Sequence, residues 1–329
     1  MDFLPDSDQQ ALAEATRDFV SARFPLRGGP TEVDEAEWKE LAAMGWLGLA
    51  AGEEIGGAGA TLVDEAFLFR EIGRGLVPGP ILSTLAGARL AWWAGRPDLA
   101  ADLVAGNQRV ARVIAADDRL LVLGPGEARL ALVIGDDGAA LHPLPADPEL
   151  RPGIEDGTVV ARVDGAELGD AVARIDDVGS LSRLRRLMLI LTSAQLAGIA
   201  QATTAHAVEH AKTRVQFGKP IGAFQAIKHK CADMATNALA ADNLMFFAAL
   251  NESPAGSDFH ALAAAAFCRR AAFANARANV QIHGAMGFTV ETSAHRFVKR
   301  THVLCAGEDL GQAARRLGGL RRPNDRETL

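Results

Sequence analysis

From Leu181 onward apolar residues recur at helical spacing: Leu184, Leu187, Met188, Leu191, Ala194 and Gly198 trace one stripe of a segment reaching Arg214. A stripe of that length predicts one long helix. Three more helical segments follow, Phe224 to Leu250, about Phe259 to Ile282, and Glu291 to about Leu304. Alanine is dense on the first three of the four. Small residues let helices approach closely, which suits a four-helix bundle that also packs against other subunits. Residues 179–329 are therefore read as a C-terminal helical bundle, with a loop over Glu252 to Asp258 and a polar end from Arg321 to Leu329.

Residues 1–106 read as a small all-helical domain. Ser7-Asp8-Gln9-Gln10 has the form of a capping box, with Ser7 as N-cap, and the first helix runs to about Phe24. A second starts near Asp34, presents Trp38, Leu41 and Ala42, and ends at Gly45; Thr61 and Asp64 frame a third. Ile81 to Gly95 forms a fourth, and Pro97 sits well at the first position of a fifth. The character changes after Gly106. Arg109–Ile114, Leu120–Leu123, Leu130–Ile134 and Thr158–Val163 are short aliphatic runs separated by turn residues, among them Asp136-Asp137-Gly138 and Asp164-Gly165. Asp-Gly steps between such runs signal hairpins, so residues 107–178 are expected to be an antiparallel β domain. The fold class is mainly α with a small β domain in the middle.

The joint between the first two long helices is Arg214-Val215-Gln216-Phe217-Gly218-Lys219-Pro220-Ile221-Gly222-Ala223-Phe224-Gln225. A plain helix connection needs one glycine and a cap. This one adds a planar cation, two amides and aromatic surface, which together offer phosphate and ring contacts. His206 and His210, at i, i+4 around Glu209, lack the His-Glu-x-x-His string of a metal helix and read as a solvated face; His229 reads as surface or interface. Cys231, Cys268 and Cys305 are too widely spaced for a disulfide framework or a Cys-x-x-Cys metal site and read as buried small hydrophobes.

A net charge of −7 and the lack of any basic cluster argue against a nucleic-acid surface. Met1 to Asp6 carry no basic or apolar leader, and no run is expected to span a bilayer, so the expected location is cytoplasmic.

The joint resembles the signature of the acyl-CoA dehydrogenase family, an Arg-x-x-Phe-Gly-x-x-Ile/Leu-x-x-x-Gln segment. Gln281-Ile282-His283-Gly284-Ala285-Met286-Gly287-Phe288 is similar to that family's Gln-x-x-Gly-Gly-x-Gly-Phe/Tyr segment. Trp38 to Leu49, followed by Glu53-Glu54-Ile55-Gly56-Gly57, is similar to its N-terminal helical domain. The three stretches occur in the family's order. The resemblance implies α,β-dehydrogenation of an acyl-CoA thioester: a carboxylate removes the α proton while a hydride leaves the β carbon for flavin adenine dinucleotide (FAD), which an electron-transfer acceptor then reoxidises.

Carried over position by position, the resemblance gives Arg214, Gln216, Phe217, Gln225, Gln281, Gly284 and Ala285 as contacts to the adenosine and pyrophosphate of a neighbouring subunit's FAD. Counting from Glu291 without a gap puts Glu308 at the family's catalytic base, although Asp309-Leu310 follows where the family has Gly-Thr. A glutamate that merely ends the last helix is the other reading. The family's alternative base position corresponds to Met188. The middle domain departs further, because the family's Thr-Glu-Pro-x-x-Gly-Ser-Asp and Trp-x-Thr/Ser segments, which cradle the flavin ring, are missing and the chain runs straight from Asp118 to Leu120.

These features resemble the smaller subunit of α2β2 enzymes acting on steroid side-chain CoA thioesters, in which a full-length partner subunit supplies the ring cradle and the base. Two alternatives stay open: a self-sufficient homo-oligomer using Glu308, and a scaffold that has lost the chemistry.

Overall fold

The computed structural model describes residues 5–29, 31–116, 119–251, 257–308, 310 and 313–319. Most of the expected 252–258 loop and the polar 321–329 end lie outside the described residues. In chain order the elements are α1 (Ser7–Arg23), α2 (Glu35–Ala43), α3 (Leu62–Gly75), α4 (Ile81–Trp93) and α5 (Pro97–Val104). Seven strands follow: β1 (Val110–Ala116), β2 (Arg119–Leu123), β3 (Leu130–Ile134), β4 (Ala139–Pro143), β5 (Leu150–Pro152), β6 (Val159–Val163) and β7 (Ala173–Ile175). The remainder comprises α6 (Val178–Thr213), β8 (Val215–Gln216), β9 (Lys219–Pro220), α7 (Gln225–Leu250), α8 (Ser257–His283), α9 (Ala294–Gly307) and α10 (Ala313–Gly319). The fold is mainly helical with a sheet in the middle, as the residue pattern implied.

The chain forms two compact units, one drawn from Met1–Gly29, Ala66–Val77 and Leu189–Leu329, the other from Pro30–Glu65 and Pro78–Met188. In the second unit α2 buries Trp38 and Leu41 completely, and Pro97 opens α5 as expected. Its sheet has the order β5-β6-β2-β1-β3-β4-β7. The strictly antiparallel expectation is corrected here: β1 and β3 run parallel, with Val110 opposite Leu130. The reason is topological. β2 folds back on one side of β1, with Ala116 opposite Arg119, and the chain then crosses to pair β3 on the other side. Asp136 to Gly138 do make a tight hairpin, joining Ile134 to Ala139. Helix α4 lies on this sheet, where the Ser83 hydroxyl donates to the Val110 carbonyl and the Val110 N–H donates to Thr84 Oγ1 at 3.0 Å.

The first unit contains α1, most of α6 and all of α7 to α10. Asp6, not Ser7, caps α1: its carboxylate accepts the N–H groups of Asp8 and Gln9, and the Gln9 amide accepts the Asp6 N–H. Asp6 has the extended backbone a cap requires, which moves the box one residue upstream. Asn275 on α8 is fully buried; its amide donates to the Ala200 carbonyl of α6 and the Met234 carbonyl of α7 and accepts from Asn237, tying three helices at one point. Glu71 on α3 has no exposed side-chain surface and pairs with Arg17, Arg70 and Arg74, while Arg70 also reaches Asp242 on α7 at 3.3 Å.

Helix α9 begins at Ala294 rather than Glu291, because the Thr289 and Thr292 hydroxyls both donate to the Met286 carbonyl at 3.0 Å and hold the preceding residues in a turn. Against expectation, α6 contains an 18-residue window of mean hydropathy 1.3, apolar and long enough by composition to cross a membrane. The protein itself covers 89% of that window, as in the core helix of a bundle.

Candidate functional site

The joint after α6 is built as a small two-stranded hairpin, with Val215 opposite Pro220 and Gln216 opposite Lys219. Its turn residues, Phe217 and Gly218, have φ of 55° and 77°, the two consecutive positive angles of a type I′ turn. Glycine or asparagine takes such angles readily, but phenylalanine does so only under strain. Nothing in the core repays it, because Phe217 is 90% exposed. Its ring meets the edge of Phe224 at 6.0 Å, and the Lys219 ammonium lies 4.5 Å from the Phe224 centroid.

The base of the hairpin is firm. The Arg214 N–H donates to the His210 carbonyl at 2.9 Å, and the Arg214 carbonyl accepts the Ile221 N–H at 2.8 Å. Ile221, Ile227 and Cys231 pack on a buried cluster of Ala207, Ala211, Met234 and Ile282. That cluster brings the two motif segments together, since Ile221 belongs to the first and Ile282 to the second. From this shared footing Arg214, Gln216, Gln225 and Gln281 all stand exposed. Gly284, at φ 65°, ends α8 in a left-handed turn, and Ala285 follows it on the surface. A Cβ at Gly218 or Gly284 would meet nothing within 4 Å, so the backbone there is open to approach.

Two histidines correct the sequence reading. His206 is not on a solvated face: its ring meets the edge of Phe297 at 5.4 Å, and its Nδ1 lies 3.4 Å from Ser293 Oγ. His210 stacks on His283 with centroids 4.1 Å apart and planes 23° from parallel. Burial first, then the charges of His283 and Arg74, holds His206 below the usual imidazole value. Burial, His283 and Arg214, in that order, do the same to His210. The signal was in the sequence, because His283 directly precedes Gly284, but only folding reveals which ring it faces. No group of three or more His, Cys, Asp or Glu side chains among the described residues could hold a metal ion.

Glu308 stands apart from this cluster. It follows the last residue of α9, whose first turn begins beside Ser293 and His206; a helix of 14 residues spans roughly 21 Å. Met188 is a buried core residue. Cys268 and Cys305 are buried, and burial pushes the Cys305 thiol up to about 12. Cys231 is only partly buried, at the edge of the apolar cluster rather than inside it.

The donor set fits the adenosine diphosphate half of FAD. A guanidinium fork suits a diphosphate, exposed amides suit ribose and adenine edges, and the open Gly284 turn lets backbone N–H groups approach an anion.

A model of the acyl-CoA dehydrogenase N-terminal domain matches residues 6–97, and one of the acyl-CoA dehydrogenase C-terminal domain matches residues 185–311. The chain is 33% identical over 310 residues to acyl-CoA dehydrogenase FadE34 of Mycobacterium tuberculosis (strain ATCC 25618 / H37Rv), covering 88% of this chain but 42% of that one. It therefore spans less than half of the FadE34 length. Acyl-CoA dehydrogenase IpdE2 of the same strain is 29% identical over 330 residues, covering 91% of this chain and 92% of the relative. Among solved structures, the ChsE4-ChsE5 complex from Mycobacterium tuberculosis shares the fold, with a TM-score of 0.79 at 22% identity over 97% of this chain and 98% of the other.

Proposed function

Since the chain belongs to the acyl-CoA dehydrogenase family of oxidoreductases, which act on CH–CH bonds, we propose that it is one subunit of an FAD-dependent acyl-CoA dehydrogenase and completes a cofactor site held mainly by another subunit. The observation that carries this reading is the hairpin. A strained turn presents Phe217 almost fully to solvent, with Arg214, Gln216 and Gln225 exposed around it, which is the arrangement of a contact surface and not of a core joint. FAD, when bound, supplies the hydride acceptor.

On this chain the Arg214 guanidinium would donate to the diphosphate, and the amides of Gln216, Gln225 and Gln281 would hold the adenosine end. The open backbone at Gly284 and Ala285 would offer N–H groups to the phosphates, and Phe217 would cover the seam.

A full-length subunit of the same family holds the flavin ring and provides the carboxylate that removes the α proton. Two features favour that division of labour. β1 turns directly into β2, so the middle sheet has no long loop at that point for a ring cradle. FadE34 is more than twice as long as the part it shares with this chain, enough for a second body of similar size. The substrate class is an acyl-CoA thioester, with a steroid side chain as the favoured acyl group, and the reaction takes place in the cytoplasm. An electron-transfer acceptor reoxidises the flavin.

Colour tests the proposal. The chain purified alone should be colourless, and co-expressed with its partner subunit it should form a yellow α2β2 complex. A yellow chain on its own would instead establish a self-sufficient homo-oligomer, and a colourless complex would leave only a scaffold.

A further inference from the structure

The His210–His283 stack lies between the two segments assigned to the cofactor diphosphate. Arg214 follows His210 by one turn at the end of α6, and Gln281 and Gly284 flank His283 at the end of α8. Nδ1 of His283 lies 2.8 Å from the Asn279 carbonyl, which can only accept, so that nitrogen carries hydrogen and Nε2 is left to take up a further proton. Two imidazolium rings with centroids 4.1 Å apart repel each other, so the pair accommodates one proton at a time.

A cation stands beside the pair and another beside the neighbouring His206. Arg214 acts on His210 from the hairpin, and Arg74 of α3 acts on the neighbouring His206. Glu209 on α6 is turned to Lys212 at 3.7 Å. On α7, Cys231 packs on the apolar cluster beneath the hairpin, and from α9 Ser293 faces His206. In this setting a proton on His210 is disfavoured until an anion arrives.

We propose that His210 and His283 form a proton-linked part of a diphosphate-binding site: a diphosphate held by Arg214 draws one proton from solvent onto the pair, whose positive charge then adds to the grip. The inference rests on the assignment of the Arg214 segment to the cofactor diphosphate. Linkage makes the effect reciprocal, so acidification tightens binding by the same factor by which the ligand favours protonation.

The test uses the full chain and ADP-ribose, an adenosine diphosphate diester whose own charge stays constant across the pH range of histidine titration. Histidine Cε1–H signals are followed by NMR through a pH titration with and without ligand, and the dissociation constant is measured at about pH 8 and about pH 6. ADP-ribose should raise the titration midpoints of both rings by roughly half a unit to one unit. Binding should be about three- to tenfold tighter at the lower pH. His283→Gln, or His210→Gln should the first variant fold poorly, should keep the weaker binding and lose its pH dependence. Unchanged midpoints, or an affinity flat with pH that Arg214→Ala still abolishes, would overturn the role of the pair and leave the assignment of Arg214 standing. A wild-type chain that does not bind ADP-ribose at all would overturn the proposal for the pair, whereas the assignment of Arg214 falls only if the Arg214→Ala complex keeps its flavin on dilution.

Discussion

Gly198 on α6 lies against the backbone of Arg70 on α3, so close that a Cβ at Gly198 would stand 2.0 Å from the Arg70 carbonyl oxygen. The contact is mutual, because a Cβ at Gly73 would stand 2.1 Å from the Gln195 carbonyl oxygen. Backbone cannot yield as a side chain does. Gly198→Ala is therefore expected to destabilise the protein by about 1–3 kcal/mol, seen as a lower midpoint in thermal or denaturant unfolding. An unchanged midpoint would mean that the two helices are not seated as described.

Phe217 separates stability from binding. Phe217→Asn places a residue that tolerates the left-handed region at φ 55°, and the lost ring was 90% exposed. Stability should hold or rise by up to about 1 kcal/mol. Flavin content of the assembled enzyme should fall. A variant that unfolds more easily would show that the ring is structural.

Arg214→Ala removes a charge-assisted contact on an exposed side chain and should leave the fold intact. Loss of such a bond weakens binding by about 1.5–3 kcal/mol, or roughly one to two decades. Flavin retained by the complex on dilution is the measurement; wild-type retention would remove this chain from the cofactor site.

Burial raises the Asp242 carboxyl above its ordinary 3.8, against the smaller opposing effect of Arg70. A raised carboxylate holds its proton longer in the folded state, so its contribution to stability is present below about pH 4 and is lost as pH rises through the folded value. Asp242→Asn should remove that loss and flatten the pH dependence of unfolding across the window. Identical pH profiles for wild type and variant would contradict the assignment.

Glu308 sits at the end of α9, away from the His206–His210–His283 cluster. In the assembled enzyme Glu308→Gln should slow turnover by less than about tenfold, whereas removing a general base costs about 10²–10⁴. A thousandfold fall with flavin content unchanged would restore Glu308 as the base and make this chain catalytic in its own right.

The sequence made the bundle legible because a 3.6-residue period sustained from Leu181 to Arg214, and again from Phe224 to Leu250, leaves little else for those residues to be. Short strands carry no comparable signal. β4 contains Ala139, Ala140, Leu141, His142 and Pro143, none β-branched, and it is a strand only because β3 and β7 pair with it. The parallel pairing of β1 with β3 escaped for a related reason, since turn residues announce hairpins and nothing announces a crossover. The motif singled out Arg214, Gln216, Gln225 and Gln281, which the fold leaves exposed. The histidine stack could not, because i, i+4 spacing on α6 says which rings share a face and not what lies opposite them.

The turn at Phe217 also bears on fidelity. A ring fixed at the tip of a type I′ hairpin, whose base is bonded to α6 and packed on an apolar cluster, has few conformations to lose when it docks. On the proposed two-subunit reading, the same rigidity makes it a gauge of depth. A neighbour whose recess is too shallow would hold the two surfaces apart, and a hairpin this well anchored has no slack to accommodate the mismatch. In a cell that makes several proteins of one fold, that gauge would let the right subunits pair and leave mixed pairings unsealed.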